Sequence, residues 1–155
     1  MKLRSGEVVV NRYISHLHES VLAVLPTALA QVESNGRGFF IEEVDFGQPI
    51  GETICVTTGP GDEIVYANRP KRRGPSRFVK NRAPEPCSSV VIILKTADDE
   101  PEAFVLVTAF IGHKPEPEPW DRNATPQSRA FWATHALVWG SEPVIFGTEV
   151  AECPW

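Results

Sequence analysis

The chain has 155 residues, 42% apolar and 23% charged, and its 15 Lys and Arg against 20 Asp and Glu give a net charge of −5. These values suit one globular domain over residues 1–155 and exclude wholesale disorder. No apolar run approaches the roughly 18–20 residues of a membrane-crossing helix. The opening MKLRSGEVVV lacks the apolar stretch of a secretory signal. The expected location is therefore cytoplasmic, with no membrane partner. Cys55, Cys87 and Cys153 are odd in number and show no Cys-x-x-Cys spacing. That pattern excludes a disulfide framework and a four-thiolate zinc site as organising principles.

In chain order, the first predicted element is a helix that starts near Asn11, an N-cap candidate. Ile14, Leu17, Val21, Leu25, Ala28 and Val32 form one apolar stripe at three- and four-residue steps. Pro26 predicts a kink or a split into two short helices, and Asn35-Gly36 a stop. Strands are expected over Gly38–Val44, Glu52–Thr58 and Asp62–Ala67, the last two joined by a turn at Thr58-Gly59-Pro60-Gly61. The basic, proline-rich stretch Asn68–Pro86 reads as an exposed loop. Ser88–Ala97 and Glu102–Ile111 follow as an antiparallel hairpin, apolar on both faces and so central in a sheet. A second proline loop, His113–Thr125, leads to an aromatic-rich helix, Gln127–Trp139, with Thr125 as cap, Pro126 at its first position and Gly140 beyond its end. A short strand over Pro143–Val150 closes the order. The expectation is an α+β fold: an N-terminal helix, a curved antiparallel β-sheet of about four to six strands, and the C-terminal aromatic-rich helix.

The charge is segregated. Arg69, Lys71, Arg72, Arg73, Arg77, Lys80 and Arg82 lie between Ile64 and Pro84 without a single carboxylate, a segment of +7 that leaves −12 elsewhere. Five of the seven are Arg, whose planar fork matches phosphate. This is the candidate nucleic-acid-binding segment, with RNA or an acidic protein as its partner; the alternative is a solvated loop paired with the protein's own acidic surface.

Of the four histidines, His16 and His18 stand two apart near the first helix, with His16 on its polar side and His18 nearer the stripe; His113 opens the second proline loop and His135 lies within the last predicted helix. No spacing among them suits a metal, and no cofactor motif is present. Thr108 interrupts an apolar strand on the face of Phe104, Leu106 and Phe110. It either bonds a backbone carbonyl or lines a site. Cys87 has no base near it in sequence, so a thiol nucleophile is not expected.

The His-bearing N-terminal helix, the segment Pro75-Ser76-Arg77-Phe78-Val79-Lys80 and the strand Phe104–Phe110, with its Val-Thr-Ala-Phe ending, together resemble the barnase–EndoU–colicin–RelE group of small ribonucleases and bacterial toxin domains. The resemblance covers residues 11–111 and leaves the C-terminal helix aside. It implies metal-independent endoribonuclease chemistry and an RNA substrate; a protein partner or inhibitor is the other partner to expect. The catalytic set it implies is His16 or His18 for proton transfer, Arg77 (with Arg73 and Lys80) for the phosphorane charge, Thr108 for the phosphate or the base, and His113 as a second acid or base. The other reading is a non-catalytic binding module that docks nucleic acid or an acidic protein through loop 69–82.

Overall fold

A computed structural model describes residues 1–12, 16–34, 36, 38–100 and 102–155. In chain order the elements are β1 (Val8–Val10), α1 (Glu19–Leu29), β2 (Phe39–Asp45), β3 (Gly51–Thr53), β4 (Cys55–Thr57), β5 (Ile64–Asn68), β6 (Pro75–Val79), β7 (Glu85–Cys87), β8 (Ser89–Thr96), β9 (Ala103–Ile111), α2 (Pro126–Trp132) and β10 (His135–Val138). Among the described residues strands hold 35% and helices 13%, in three sheets, which overturns the α+β expectation in favour of a mostly-β architecture. The reason is local. Several segments expected to be loop or helix bury side chains on both faces, and a strand that is covered on both sides satisfies that better than a one-striped helix. The chain divides into two compact units, residues Met1–Glu52 with Pro86–Lys114 and Thr53–Glu85 with Pro115–Trp155.

In the first unit the sheet order is β1-β9-β8-β2. β8 and β9 form the expected hairpin and are central; β2 runs antiparallel to β8. The expected sheet was wholly antiparallel, yet β1 pairs parallel to β9, Val9 opposite Phe104. Val90, Ile92 and Leu94 of β8 meet Phe104, Leu106, Ala109 and Ile111 of β9 beneath α1, which contributes Val21, Leu25, Ala28 and Leu29. Phe40 and Phe104 pack edge to face at 5.3 Å. The helix begins at Glu19 rather than near Asn11, and His18 is its N-cap: Nδ1 accepts the Ser20 N–H at 3.2 Å. It passes through Pro26 as one helix. Only the Leu22 carbonyl loses its partner there, and Leu22 is exposed. Ile14 and Asn35, used above for the stripe and the stop, lie outside the described residues.

The β8–β9 register shifts between Ile93 and Leu94: Ile93 faces Thr108 and Leu94 faces Leu106. Val107 is the extra residue of a β-bulge, and a bulge exchanges the two faces of a strand beyond it. Phe104 and Leu106 therefore share the core face with Ala109 and Ile111. Thr108 leaves that face, contrary to the sequence expectation, and stands with Phe110 on the side away from α1.

In the second unit the order is β4-β10-β6-β5, with β10 parallel to β6 and antiparallel to β4. The basic stretch is not a loop throughout: β6 lies within it and pairs residue for residue with β5. The predicted helix Gln127–Trp139 is α2 only as far as Trp132, followed by β10. Leu137 enters one cluster with Phe78 and Trp132, while Ala136 and Val138 enter another with Val56 and Val79. That alternation is the period of a strand. Glu52–Thr58 is divided between β3, which pairs with β7, and β4. Pro143–Val150 is not a strand; of it, only Val150 makes an isolated bridge, to Tyr66.

Gly74 shows how tightly the β5–β6 turn is covered. A Cβ there would lie 2.3 Å from Cγ and 2.6 Å from Cβ of Trp120, and a change of rotamer does not move that Cβ. Gly74→Ala is expected to lower unfolding stability by about 1–3 kcal/mol through overpacking, measured by chemical denaturation. An unchanged midpoint would show that Trp120 does not hold this turn.

Candidate functional site

Three of the seven cations of the basic segment are spent on partners within the fold. Arg77 is buried on β6 and donates from one nitrogen to Thr58 Oγ1 at 2.8 Å and to the His135 carbonyl at 2.9 Å. Arg69 donates to Ser76 Oγ at 2.9 Å and pairs with Glu118 at 3.0 Å, both charged side chains largely buried. Arg82 reaches Asp62 at 3.1 Å and Glu85 at 3.3 Å. Lys80 is exposed with its Nζ 5.0 Å from the Trp139 ring centroid, a cation–π placement. Lys71, Arg72 and Arg73 remain exposed in the β5–β6 turn, Lys71 at φ 63°.

The expected set of a histidine, an arginine and Thr108 is brought together in part. His16 Nε2 lies 3.0 Å from Thr108 Oγ1, across 92 residues of sequence. The outward turn at the bulge makes that hydroxyl available. Arg77 belongs to the second unit, where its fork is spent on Thr58 and the His135 carbonyl. His18 serves as a helix cap. His135 begins β10, outside any helix; its ring stacks on Phe131 at 3.9 Å, and Nδ1 meets the Phe131 carbonyl at 2.9 Å.

Sequence reasoning missed Lys95. It is exposed on β8 two residues after Ile93, which sits opposite Thr108, so Lys95 and Thr108 share the sheet face away from α1. Alternation along β8 carries that signal, once the bulge is known.

Sequence reasoning also missed the surroundings of His113. Nδ1 of His113 is 3.0 Å from Glu43 Oε2, and the other carboxylate oxygen accepts the Lys114 N–H at 2.9 Å. On the far side of the ring, Nε2 is 3.9 Å from Cys87 Sγ. The hairpin register contained this signal. Val90 pairs with Ile111, and Gly112 N–H donates to the Ser89 carbonyl; extended two places further, the register brings residue 113 opposite Ser88, next to Cys87. Thiol and carboxylate lie on opposite sides of the imidazole, the geometry of a relay rather than of ligands converging on one ion. Among the described residues, no three His, Cys, Asp or Glu side chains form a metal-holding group.

Burial pushes the Glu43 carboxyl up, but the His113 hydrogen bond, the Lys114 N–H and the positive charges of both residues outweigh it, and the group falls below its ordinary 4.5. Asp45 is also held low, first by the Gly47 N–H, then by Ser88 and the His113 charge. A lowered carboxylate contributes stability above its ordinary value, and that contribution is lost as pH falls through the folded value. The stability difference between wild type and Glu43→Gln is therefore expected to shrink steadily as pH falls below 4.5, followed by denaturation at a series of pH values. A constant difference would remove the ionic part of this contact.

A groove lined by Glu7, Asp99, Glu100 and Glu102, with Ser5 and Phe104, has an acidic wall and includes none of the expected site residues. Such a wall repels phosphate.

Loss of Arg77 leaves the His135 carbonyl and the Thr58 hydroxyl without their buried donor. Arg77→Ala is expected to cost about 1–3 kcal/mol of stability, whereas Arg73→Ala on the exposed turn leaves the denaturation midpoint unchanged. Equal midpoints for the two variants would contradict the structural role of Arg77.

No family model matches the chain, and neither a curated protein nor a solved structure matches it.

Proposed function

We propose that this protein is a metal-independent endoribonuclease of toxin-like type whose centre is the His16–Thr108 pair. The observation that carries the reading is the 3.0 Å contact between these two side chains. One tautomer makes chemical use of it: Nε2–H donates to Thr108 Oγ1, which fixes the ring and leaves the Nδ1 lone pair to accept a proton. In this reading Nδ1 takes the proton of an RNA 2′-hydroxyl, and the 2′ oxygen attacks phosphorus. The P–O5′ bond then breaks, and the leaving oxygen takes a proton from water, giving a 2′,3′-cyclic phosphate and a 5′-hydroxyl. Lys95, on the same sheet face as Thr108, meets the charge that builds on the phosphate oxygens. In the second unit the exposed Lys71, Arg72 and Arg73 are cations that attract a phosphate backbone in their own right. Arg77 and His18, each committed to a structural bond, have no catalytic part in this reading.

The test is cleavage of total tRNA in EDTA. His16→Ala is expected to reduce the rate by about 10² to 10⁴-fold, the span of a lost general base; Thr108→Val and Lys95→Ala should reduce it by smaller factors, with circular dichroism unchanged. Cleavage that survives His16→Ala would sink the assignment. Absence of cleavage by the wild type, with salt-sensitive RNA retention lost in an Arg72→Ala, Arg73→Ala double variant, would instead support the non-catalytic binding module.

A further inference from the structure

The three cysteines occupy three different environments. Cys55 is half-buried; burial and the charge of Glu118 push its thiol up to about 11, so it is protonated and inert near neutral pH. Cys153 is exposed, with its sulfur 3.4 Å from the Trp155 carbonyl oxygen and no basic partner among the described contacts. Cys87 is 6% exposed, and its sulfur has two neighbours: the Ser89 carbonyl oxygen at 3.7 Å and His113 Nε2 at 3.9 Å.

His113 is oriented for one role toward that thiol. Its Nδ1–H donates to Glu43 Oε2 at 3.0 Å, so Nε2 carries the lone pair that faces sulfur. Glu43 is itself fixed by the Lys114 N–H at 2.9 Å. Nucleophile, base and orienting carboxylate thus come in the order that activates a thiol. The charged groups that face the imidazole are Glu43, Asp45 and Lys114. The imidazole side chain is 68% exposed, so it exchanges protons freely with solvent.

The geometry points to Cys87 as an imidazole-activated nucleophile, a covalent modification site for small electrophiles, with His113 as its base and Glu43 as the positioning residue. Low exposure of Cys87 restricts the partner to a small molecule and disfavours a polymeric one. In the step, the Sγ proton passes to His113 Nε2 and the thiolate attacks the electrophilic carbon. With iodoacetamide the C–I bond breaks, iodide departs, an S–C thioether forms, and His113 releases its proton to water.

The experiment is time-resolved alkylation of the intact chain with iodoacetamide at pH 7, with each cysteine read by peptide mass. It monitors no RNA cleavage, so its outcome is independent of the ribonuclease reading. Cys87 is expected to react about tenfold faster than the exposed Cys153, with Cys55 unmodified as the sign that the fold is intact. His113→Ala should bring Cys87 down to or below the Cys153 rate, and Glu43→Gln should give an intermediate rate. If His113→Ala does not fold, the pH profile of the wild type decides: a Cys87 rate that rises only with an ordinary thiol titration near about 8.5 overturns the proposal. So does preferential reaction of Cys153, or a Cys87 rate indifferent to His113.

Discussion

The first unit depends on the packing of one hairpin. β8 and β9 place Val90, Ile92 and Leu94 against Leu106, Ala109 and Ile111, and most of these side chains are almost wholly removed from water. Each buried aliphatic chain contributes roughly 1.5–3 kcal/mol relative to exposure, so the strands cannot slip without exposing the core. The Val107 bulge is tolerated because both halves of β9 then keep their apolar residues inward. Its consequence is chemical as well as structural: a threonine that would have needed a partner within the core is turned outward, where it meets His16.

The same hairpin fixes the second pair of polar contacts. Where β9 ends, the chain delivers His113 beside Cys87, and Glu43 of β2 receives it on the other side. Neither contact belongs to a contiguous motif. Both arise because antiparallel pairing places the end of one strand beside the start of its neighbour.

In the second unit the governing constraint is the cost of burying charge. Arg69 and Arg77 lie under cover, and every such guanidinium must find acceptors. The acidic residues and carbonyls around them supply these, which is why a +7 segment presents far less free charge than its composition promises. Sequence could not separate spent from free cations, since Glu118 lies 49 residues from Arg69 and the His135 carbonyl 58 from Arg77.

Legibility varied with the kind of signal. The β8–β9 hairpin was readable because long apolar runs flank a polar turn, and the α1 stripe because Val21, Leu25 and Ala28 recur at helical steps. β6 was hidden by its proline-rich surroundings, although Pro75 sits at the first residue of the strand, where its missing donor does little harm. β10 was hidden because Phe131, Trp132 and Trp139 on either side of it were read as one helix, and burial on both faces of the strand settled the matter. Of the candidate residues, His16 and Thr108 were singled out from residue type and lie 3.0 Å apart, though Thr108 was assigned to the wrong face.

Residue order therefore determined the strongly periodic elements, the segregation of charge and the identity of the groups able to move protons, because these follow from local spacing and side-chain chemistry. Tertiary structure decided which of those groups face one another and which are consumed in holding the fold. The bulge, the strand ends and the buried arginine partners are set by packing between distant segments, and a one-residue shift of register reverses the face on which a side chain stands.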